Sequence, residues 1–401
     1  MREDKMEINN SQKFYTKMIF RYLYSVGLGD WWYQHEDRSD SHRKLYCLWA
    51  VISNAYIFLN ICNELLANFR KDLTDVEKND AIQFSFAHPL IFAKIASFFF
   101  NRKKIREVFG RLLEENRSVY SCGELEKESM KQIKRYSLAF IGVSYMTLVM
   151  STIDGLRAHF KEGIPIRTEV TYYPSPSNSG VIVNILRFLV EFHWWYIVSV
   201  MVAIDSLAVA SFVFVTFKFK LLQRYFKDMG LTVRRDQSNM TDEALADKFR
   251  RDFIVGVKLH ENALWCAENV QKAFGWVYSV QVFETVALLV MCLVKLVTTN
   301  HNMIFLLANF AFMLCVIILN GSYMMPAGDV TYEASEVPTS IFLCGWELVR
   351  QTDLRFLVVV AIQRSQVPVI MKAFGIMTLS YSNFIAVSLF KFYVQFQINL
   401  F

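Results

Sequence analysis

The closing stretch of the chain, residues 375–401, reads GIMTLSYSNFIAVSLFKFYVQFQINLF. It is mostly apolar from Ile376 onward, and it is long enough to cross a bilayer, which takes about 20 such residues. Gln395, Gln397 and Asn399 nevertheless alternate with apolar side chains near its end. Because amides are costly in lipid, two interpretations stay open: this end of the helix reaches the headgroups, or its amides line a water-filled pore.

The composition places the rest of the chain in a membrane as well. Of 401 residues, 54% are apolar and 15% are aromatic, which is too apolar for a soluble domain of this length. The seven cysteines are scattered without short-spaced pairs, which argues against a disulfide framework and against a zinc site. Residues 1–17 are charged and lack an apolar core, so no cleaved signal peptide is expected. The net charge of +6 belongs to loops, and no nucleic-acid partner is expected.

Seven apolar runs predict an all-α membrane protein with seven transmembrane helices surrounded by membrane lipid. The fourth run is too long for one perpendicular crossing, so part of it should project beyond the membrane. The predicted spans are 45–66, 81–100, 136–156, 181–222, 274–297, 303–325 and the closing stretch.

The distribution of basic residues predicts the orientation. Lys and Arg are frequent in the amino-terminal segment and in the loops after spans two and four, and they are sparse in the loops between. Since basic loops stay cytoplasmic, the amino terminus is expected inside and Phe401 outside. A receptor coupled to G proteins has the opposite orientation, so that class is excluded.

Two segments beyond the spans carry helical patterns of their own. Apolar residues recur at helical spacing amid charges over 241–273, which predicts an amphipathic helix that runs directly into span five. A second helical pattern ends at Pro368. The two segments predict a cytoplasmic anchor, which is either a subdomain of one chain or a platform where subunits meet. The predicted divisions are 1–44 (cytoplasmic amino-terminal segment), 45–222 (spans one to four with an outer ligand pocket), 223–273 (anchor), 274–325 (spans five and six), 326–370 (anchor) and 371–401 (pore-lining span seven).

The carboxy-terminal third resembles the insect odorant receptor family. The resemblance is concentrated in the last 75 or so residues and is diffuse elsewhere, where the span count and Asp205 in span four agree with it. Phe342 stands where Tyr is commoner in the family. The residues that carry it are Glu333, Ser335, Glu336, Val337, Phe342, Cys344, Trp346, Arg364, Ser365, Gln366, Pro368, Ser380, Phe384 and 393–400.

This resemblance implies an odour-gated, non-selective cation channel of four subunits, in which an odour-specific subunit works with a shared co-receptor in the plasma membrane of a sensory-neuron dendrite. The family's gate matches Phe396, Asn399 and Leu400 here. Phe396 stands where the family usually has Val, and Asn399 where it usually has Gln. These differences favour a channel that this chain forms together with a co-receptor. Val337, Phe342 and Trp346 are the expected anchor and assembly residues.

A pocket for a small volatile organic compound is expected in the outer half of the bundle, where apolar and aromatic side chains occur beside a few polar groups. Aromatic residues at helical spacing can equally be ordinary packing. The candidate pocket residues are Phe84, His88, Phe92, Tyr145, Leu148, Ser151, Thr152, Trp195, Tyr196, Ser199, Phe305, Asn309 and Met313.

Several charged residues fall in or near the spans, where charge must be paired or hydrated. Helix-to-helix clamps are their expected role, with an ion path or ligand contact as the alternative. They are Asp154 with Arg157, Glu191 with His193, Asp205, and Glu284. No catalytic motif, cofactor site or metal site is predicted.

Three functions stay open on the sequence alone. The first is an odorant-gated channel, the second a gustatory receptor channel of the same superfamily, and the third a secondary transporter. The third is disfavoured because no inverted repeat or pair of broken helices can be traced. Odour-evoked cation current, tastant response or coupled flux would separate them.

Overall fold

The computed structural model describes residues 2–29, 40–114, 119–162, 169–298 and 303–387. Within these ranges the regular structure is helical except for one small hairpin, which confirms the all-α prediction. The elements are α1 (Arg2–Ser25), α2 (Asp40–Ala67), α3 (Asp75–Glu114), α4 (Gly123–Glu162), α5 (Val181–Asp236), α6 (Asp242–Thr298), α7 (Met303–Ser335), α8 (Val337–Phe342), a 3₁₀ turn (Trp346–Leu348), α9 (Thr352–Ser365), β1 (Lys372–Ala373) and β2 (Met377–Thr378).

Six of the described helices, α2 to α7, are long and apolar enough to cross a membrane. They coincide in order with the first six predicted spans. Each extends beyond its apolar run, as α3 does on both sides of 81–100, because helix ends in water carry polar residues. A capping box begins α3: the Thr74 amide donates to the Glu77 carboxylate at 2.7 Å, and the Glu77 amide donates to the Thr74 hydroxyl at 3.3 Å.

Helix α5 is the centre of the bundle. It has 56 residues, which makes it about 84 Å long at 1.5 Å per residue. Almost every side chain from Ile197 to Phe219 is buried, and α5 packs against α1, α2, α3, α4, α6 and α7. Helix α2, in contrast, exposes a row of large apolar side chains that include Leu45, Val51 and Leu59. Lipid is the natural neighbour of that face.

The predicted amphipathic segment and span five form one continuous helix, α6, of 57 residues. Beyond the bundle it pairs with the end of α5, where the Tyr225 hydroxyl donates to the Asp252 carbonyl at 2.7 Å. We call this end, with α8, α9 and the 237–241 connection, the anchor end. The opposite end, with the connections 68–74 and 169–180, is the loop end.

The first helix is a feature that the sequence reasoning did not anticipate. Tyr15, Ile19 and Leu23 of α1 are buried, and the helix packs against α4 and α5. These side chains recur at spacings of four, so amphipathic periodicity was present in the sequence. The amino-terminal segment is therefore part of the bundle and not only a polar leader.

The start of the predicted seventh span is a hairpin, although its apolar pattern predicted a helix there. Residues 372–378 form a hairpin in which Lys372 pairs with Thr378, and helix resumes only at 381–387. We call this helix of the predicted seventh span the seventh helix; it is distinct from α7. The turn needs positive φ at Phe374 (53°) and Gly375 (72°), which glycine adopts readily and which ends a helix or keeps it from starting. Residues 388–401 lie outside the described residues.

Candidate ligand site and gating contacts

A group of hydroxyls joins α1, α4 and α5 inside the bundle. The Tyr145 hydroxyl lies 2.5 Å from the Tyr22 hydroxyl and 2.9 Å from the Ser199 hydroxyl. We call Tyr22, Tyr145, Thr152, Trp195 and Ser199 the hydroxyl cluster.

Trp195 gives the hydroxyl cluster its aromatic wall. Its indole Nε1 donates to the Thr152 hydroxyl at 3.3 Å, and its ring centroid lies 6.3 Å from that of Tyr145. Leu148, which lies between Tyr145 and Thr152 in the sequence of α4, is fully buried. Aromatic surface beside a few directed polar groups is the environment that a small organic ligand requires.

A second group of candidate pocket residues lies nearer the loop end. The Phe84 ring packs edge-on against Trp194 at 6.1 Å and lies 5.5 Å from the His88 ring. His88 Nδ1 is 2.6 Å from Glu64 Oε2. The Tyr196 hydroxyl donates to the Val26 carbonyl at 3.0 Å, so it ties α5 to the end of α1. Phe92 contacts Phe58 of α2, with 5.8 Å between the ring centroids.

The remaining candidates do not join these groups. Asn309 donates from Nδ2 to the Cys292 carbonyl at 3.2 Å, and Met313 is buried with residues of α6 in a separate apolar cluster. Ser151 is half-buried on α4. The side chain of Phe305 lies outside the described residues. Among the described candidates, α4 and α5 therefore supply the hydroxyl cluster, together with α1, which sequence reasoning missed.

A buried ionic network crosses the middle of the bundle. Lys94 of α3, which the sequence reasoning did not single out, lies 3.1 Å from Asp205 of α5 and 3.1 Å from Glu284 of α6. Tyr323 of α7 donates to Asp205 at 2.5 Å, and Lys94 also donates to Gln281. The network clamps four helices together, which confirms the expected role of Asp205 and Glu284.

The other predicted charge pairs have a different outcome. His193 Nδ1 lies 3.4 Å from the Glu169 carboxylate and 3.6 Å from the Glu64 carboxylate. His193 therefore links α5 to helix α2 and to the loop before α5. The expected partner, Glu191, is two residues away on the same helix, and side chains at that spacing do not face each other. The side chain of Asp154 lies outside the described residues.

Asp329 of α7 connects the start of the seventh helix to α4. Its carboxylate accepts from Gln132 at 2.6 Å, from Tyr136 at 3.4 Å and from Tyr381. Gly328 of α7 leaves room for the Tyr381 ring, because a Cβ at this position would lie 3.1 Å from that ring. Tyr136 and Tyr145 are on the same helix, so α4 contacts both the hydroxyl cluster and the seventh helix. The predicted gate residues Phe396, Asn399 and Leu400 lie outside the described residues.

The three predicted anchor residues differ in environment. Val337 is fully buried, whereas Phe342 is 56% exposed. The Trp346 indole donates to the Phe342 carbonyl at 3.1 Å, and the two rings lie 5.9 Å apart. Val337 contributes to the core of the anchor, and Phe342 faces outward.

Comparison with known proteins gives one family. A family model described as 7tm Odorant receptor matches residues 75–391. No curated protein matches the chain.

Solved structures share the fold across the whole length. The structure of the insect olfactory receptor OR5 from Machilis hrabei is similar with a TM-score of 0.75 at 13% identity, covering 95% of this chain and 96% of that chain. The same receptor in complex with eugenol is similar with a TM-score of 0.74 at 14% identity, covering 97% and 99%.

Proposed function

The chain belongs to the 7tm odorant receptor family, and from this premise we propose that it is the odour-binding subunit of a non-selective cation channel. It binds a small volatile organic compound and opens its pore in a tetramer with a co-receptor. Its site of action is the plasma membrane of a sensory-neuron dendrite. The anchor end faces the cytoplasm, because basic residues are concentrated in the connections at that end.

The hydroxyl cluster is the observation that carries the proposal. The Tyr145 hydroxyl lies 2.5 Å from the Tyr22 hydroxyl and 2.9 Å from the Ser199 hydroxyl. The Trp195 indole lies beside them and donates to the Thr152 hydroxyl. A ligand hydroxyl or carbonyl can replace one member of such a chain of hydrogen bonds, while the rings cover the ligand's apolar body. Eugenol, named in the complex of the Machilis hrabei receptor, has this combination of an aromatic ring and a polar group, and compounds of that class are the ligands we expect here.

Helix α4 offers a route from ligand to pore. Tyr145 belongs to the hydroxyl cluster, and Tyr136 lies nine positions earlier, about 14 Å along the same helix. Through Asp329, Tyr136 reaches Tyr381 at the start of the seventh helix. A ligand that shifts or rotates α4 changes these contacts, and it opens the channel only if it binds the open arrangement more tightly.

The pore itself is proposed from the sequence of the seventh span. Phe396, Asn399 and Leu400 lie at three- and four-residue spacings, which places them on one side of a helix. Four such sides around an axis form a ring of aromatic, amide and aliphatic groups, and this ring is the proposed gate.

Subunit assembly is proposed to use the anchor. Helix α9 exposes four large apolar side chains, Phe356, Leu357, Val359 and Val360, each at least 43% exposed. Phe342 of α8, which packs against α9, is also exposed. Such a surface outside the membrane favours contact with another subunit over contact with water.

Current recording tests the proposal. The chain should respond to volatile aromatic compounds only when expressed with an insect co-receptor, and the currents should be cationic and independent of voltage. Tyr145→Phe removes one hydrogen-bonding group worth about 1 kcal/mol, so the half-maximal concentration of a hydroxyl-bearing odorant should change by about fivefold to tenfold.

Tyr172→Phe at an exposed loop position is the matched control and should behave like the wild type. Responses only to tastants, or flux coupled stoichiometrically to an ion, would contradict the proposal. So would a Tyr145→Phe receptor that responds like the wild type to every odorant.

A further inference from the structure

Four buried side chains with metal-binding chemistry meet at the loop end. They are Glu64 at the end of α2, His88 of α3, His193 of α5, and Glu169 in the segment before α5. None is more than 3% exposed. We call these four residues the loop-end cluster. Their positions in the sequence are far apart, which is why no metal-ligand spacing was visible there.

Glu64, His88 and Glu169 can each offer one donor atom within 4.8 Å of the other two, and His193 lies beside this group. His193 Nδ1 lies 3.4 Å from Glu169 Oε2 and 3.6 Å from Glu64 Oε1. His88 Nδ1 lies 3.9 Å from Glu169 Oε1. Ligands at about 2.0–2.1 Å around a tetrahedral ion are roughly 3.3 Å apart. To hold one ion, the contact of 2.6 Å between His88 and Glu64 must lengthen by about 0.7 Å, and the separations of 3.6 Å and 3.9 Å must shorten.

Three polar atoms of the loop-end cluster are buried without a hydrogen-bond partner: Glu64 Oε1, Glu169 Oε1 and His193 Nε2. Buried carboxylate oxygens without partners are costly. Among the described residues, the ion pairs of both carboxylates are with these histidines and not with Lys or Arg.

We propose that the loop-end cluster binds one divalent transition-metal ion of the zinc type. Glu64, His88 and Glu169 supply three of the four ligands that zinc takes, and His193, close to both carboxylates, is the candidate for the fourth. Calcium and magnesium prefer oxygen ligands throughout and are disfavoured by the two imidazoles. The ion would neutralise both carboxylates.

The proposed ion has a structural consequence for the loop end. The segment 169–173 is already fixed to α2, where Asn63 Nδ2 donates to the Tyr173 carbonyl at 2.6 Å and the Tyr172 amide donates to the Asn63 carbonyl at 3.1 Å. A metal held by Glu169 and by three helices would lock this segment over the end of the bundle, beside Phe84 and Trp194. The inference does not depend on odour binding.

Metal analysis of the full-length protein tests the inference. The receptor is purified in detergent, stripped with a chelator, incubated with zinc chloride and analysed by mass spectrometry for bound metal. We expect close to one zinc per chain, bound with micromolar or tighter affinity. Cobalt in place of zinc should give the intense visible absorption of a tetrahedral site.

Variants at the loop-end cluster should lose the ion. His88→Ala and Glu169→Gln should each weaken zinc binding by roughly 100-fold or more. His159→Ala and Asp75→Asn change exposed residues at the same end and should bind zinc like the wild type. Size-exclusion chromatography identifies any variant that does not fold.

Two results would overturn the inference. One is a folded wild-type receptor that binds no zinc in the micromolar range, and this result needs no variant. The other is zinc binding that survives in folded His88→Ala and Glu169→Gln. Because metal content is measured without odorant or current, neither result affects the proposed channel function, and a silent channel leaves the metal result valid.

Discussion

At the scale of single residues, the Lys94 network shows how a charge is accommodated inside the bundle. Lys94 is fully buried between Asp205 and Glu284, with Tyr323 donating to Asp205. The attraction between opposite charges is strong in a medium of low polarity, and each charge is costly there without its partner. The network therefore fixes which faces of α3, α5, α6 and α7 point inward.

Removing the cation should destabilise the protein strongly. Lys94→Met leaves two carboxylates without a positive partner, and we expect a loss of about 3–5 kcal/mol in the free energy of unfolding. Thermal unfolding of the detergent-purified receptor measures it. Lys103→Met, at an exposed position of the same helix, should have little effect.

The triple variant Lys94→Met, Asp205→Asn, Glu284→Gln distinguishes charge from packing. Because it also removes the unpaired carboxylates, it should recover much of the loss. A Lys94→Met protein as stable as the wild type would contradict the role of the network.

Gly230 lies where α5 and the anchor are too close to leave room for a side chain. A Cβ at this position of α5 would lie 2.2 Å from the Leu343 carbonyl oxygen, in the turn after α8. Gly230→Ala should therefore push the anchor away from α5 and lower the melting temperature by several degrees, consistent with an overpacking cost of about 1–3 kcal/mol.

The matched control for this substitution is Gly142→Ala on α4, where an added Cβ meets nothing within 4 Å. Alanine favours helix over glycine, so this variant should be neutral or slightly stabilised. Equal melting temperatures for the two variants would show that α5 and the anchor turn do not pack as closely as described.

At the scale of helices, α4 is the element that joins the candidate ligand site to the seventh helix. It carries Tyr145 in the hydroxyl cluster and both Gln132 and Tyr136 on Asp329. A helix transmits displacement along its axis because its hydrogen bonds keep it rigid. The first turns of the seventh helix are held on α7 by Tyr381 and by Phe384 over Gly321.

Releasing this contact should ease channel opening. Tyr381→Phe removes the hydrogen bond that holds the start of the seventh helix to Asp329, so the basal current should rise and the half-maximal odorant concentration should fall, each by roughly threefold to tenfold for a bond of about 1 kcal/mol. Recording with the co-receptor measures both quantities.

Tyr332→Phe changes an exposed residue one turn from Asp329 on α7 and serves as the control. Reduced basal current, or the same shift in the control, would argue against a restraining role for Tyr381.

At the scale of the whole molecule, the anchor end combines exposed apolar side chains with polar contacts between its elements. Arg250 pairs with Asp353 at 2.7 Å, and Gln271 exchanges two hydrogen bonds of 2.8 Å with Lys372. These contacts hold α9 and the hairpin against α6, while the other side of α9 stays apolar and exposed.

That exposed side should be required for assembly. Phe356→Glu places a charge in the proposed subunit contact, where it would have to be desolvated, so the tetramer with the co-receptor should fall at least about tenfold in abundance. Mass measurement of the purified complex gives the result. Phe69→Glu, at an exposed position of the loop end, is the control, and intact tetramers of Phe356→Glu would exclude this surface.

Much of the architecture follows from the sequence by itself. Apolar runs identified α2 to α7, because the length of such a run is a local property fixed by the thickness of the membrane. The amphipathic pattern of 241–273 predicted a helix continuous with span five, and the motifs near the carboxy terminus indicated the family that the comparison confirmed. The buried roles of Asp205 and Glu284 also followed, since charge in a span needs a partner.

Only the tertiary structure decided which side chains meet. Tyr145 and Ser199 were both candidates, but their contact with Tyr22 depends on how α1 enters the bundle. Asn309 and Met313 were equally plausible, but Asn309 bonds to the Cys292 carbonyl of α6 and Met313 lies in a separate apolar cluster. Glu64, His88, Glu169 and His193 come from four segments, and no spacing within any one of them predicts their meeting. The reason is physical: periodicity determines which face of a helix is buried, whereas the rotation and crossing of packed helices determine what that face contacts.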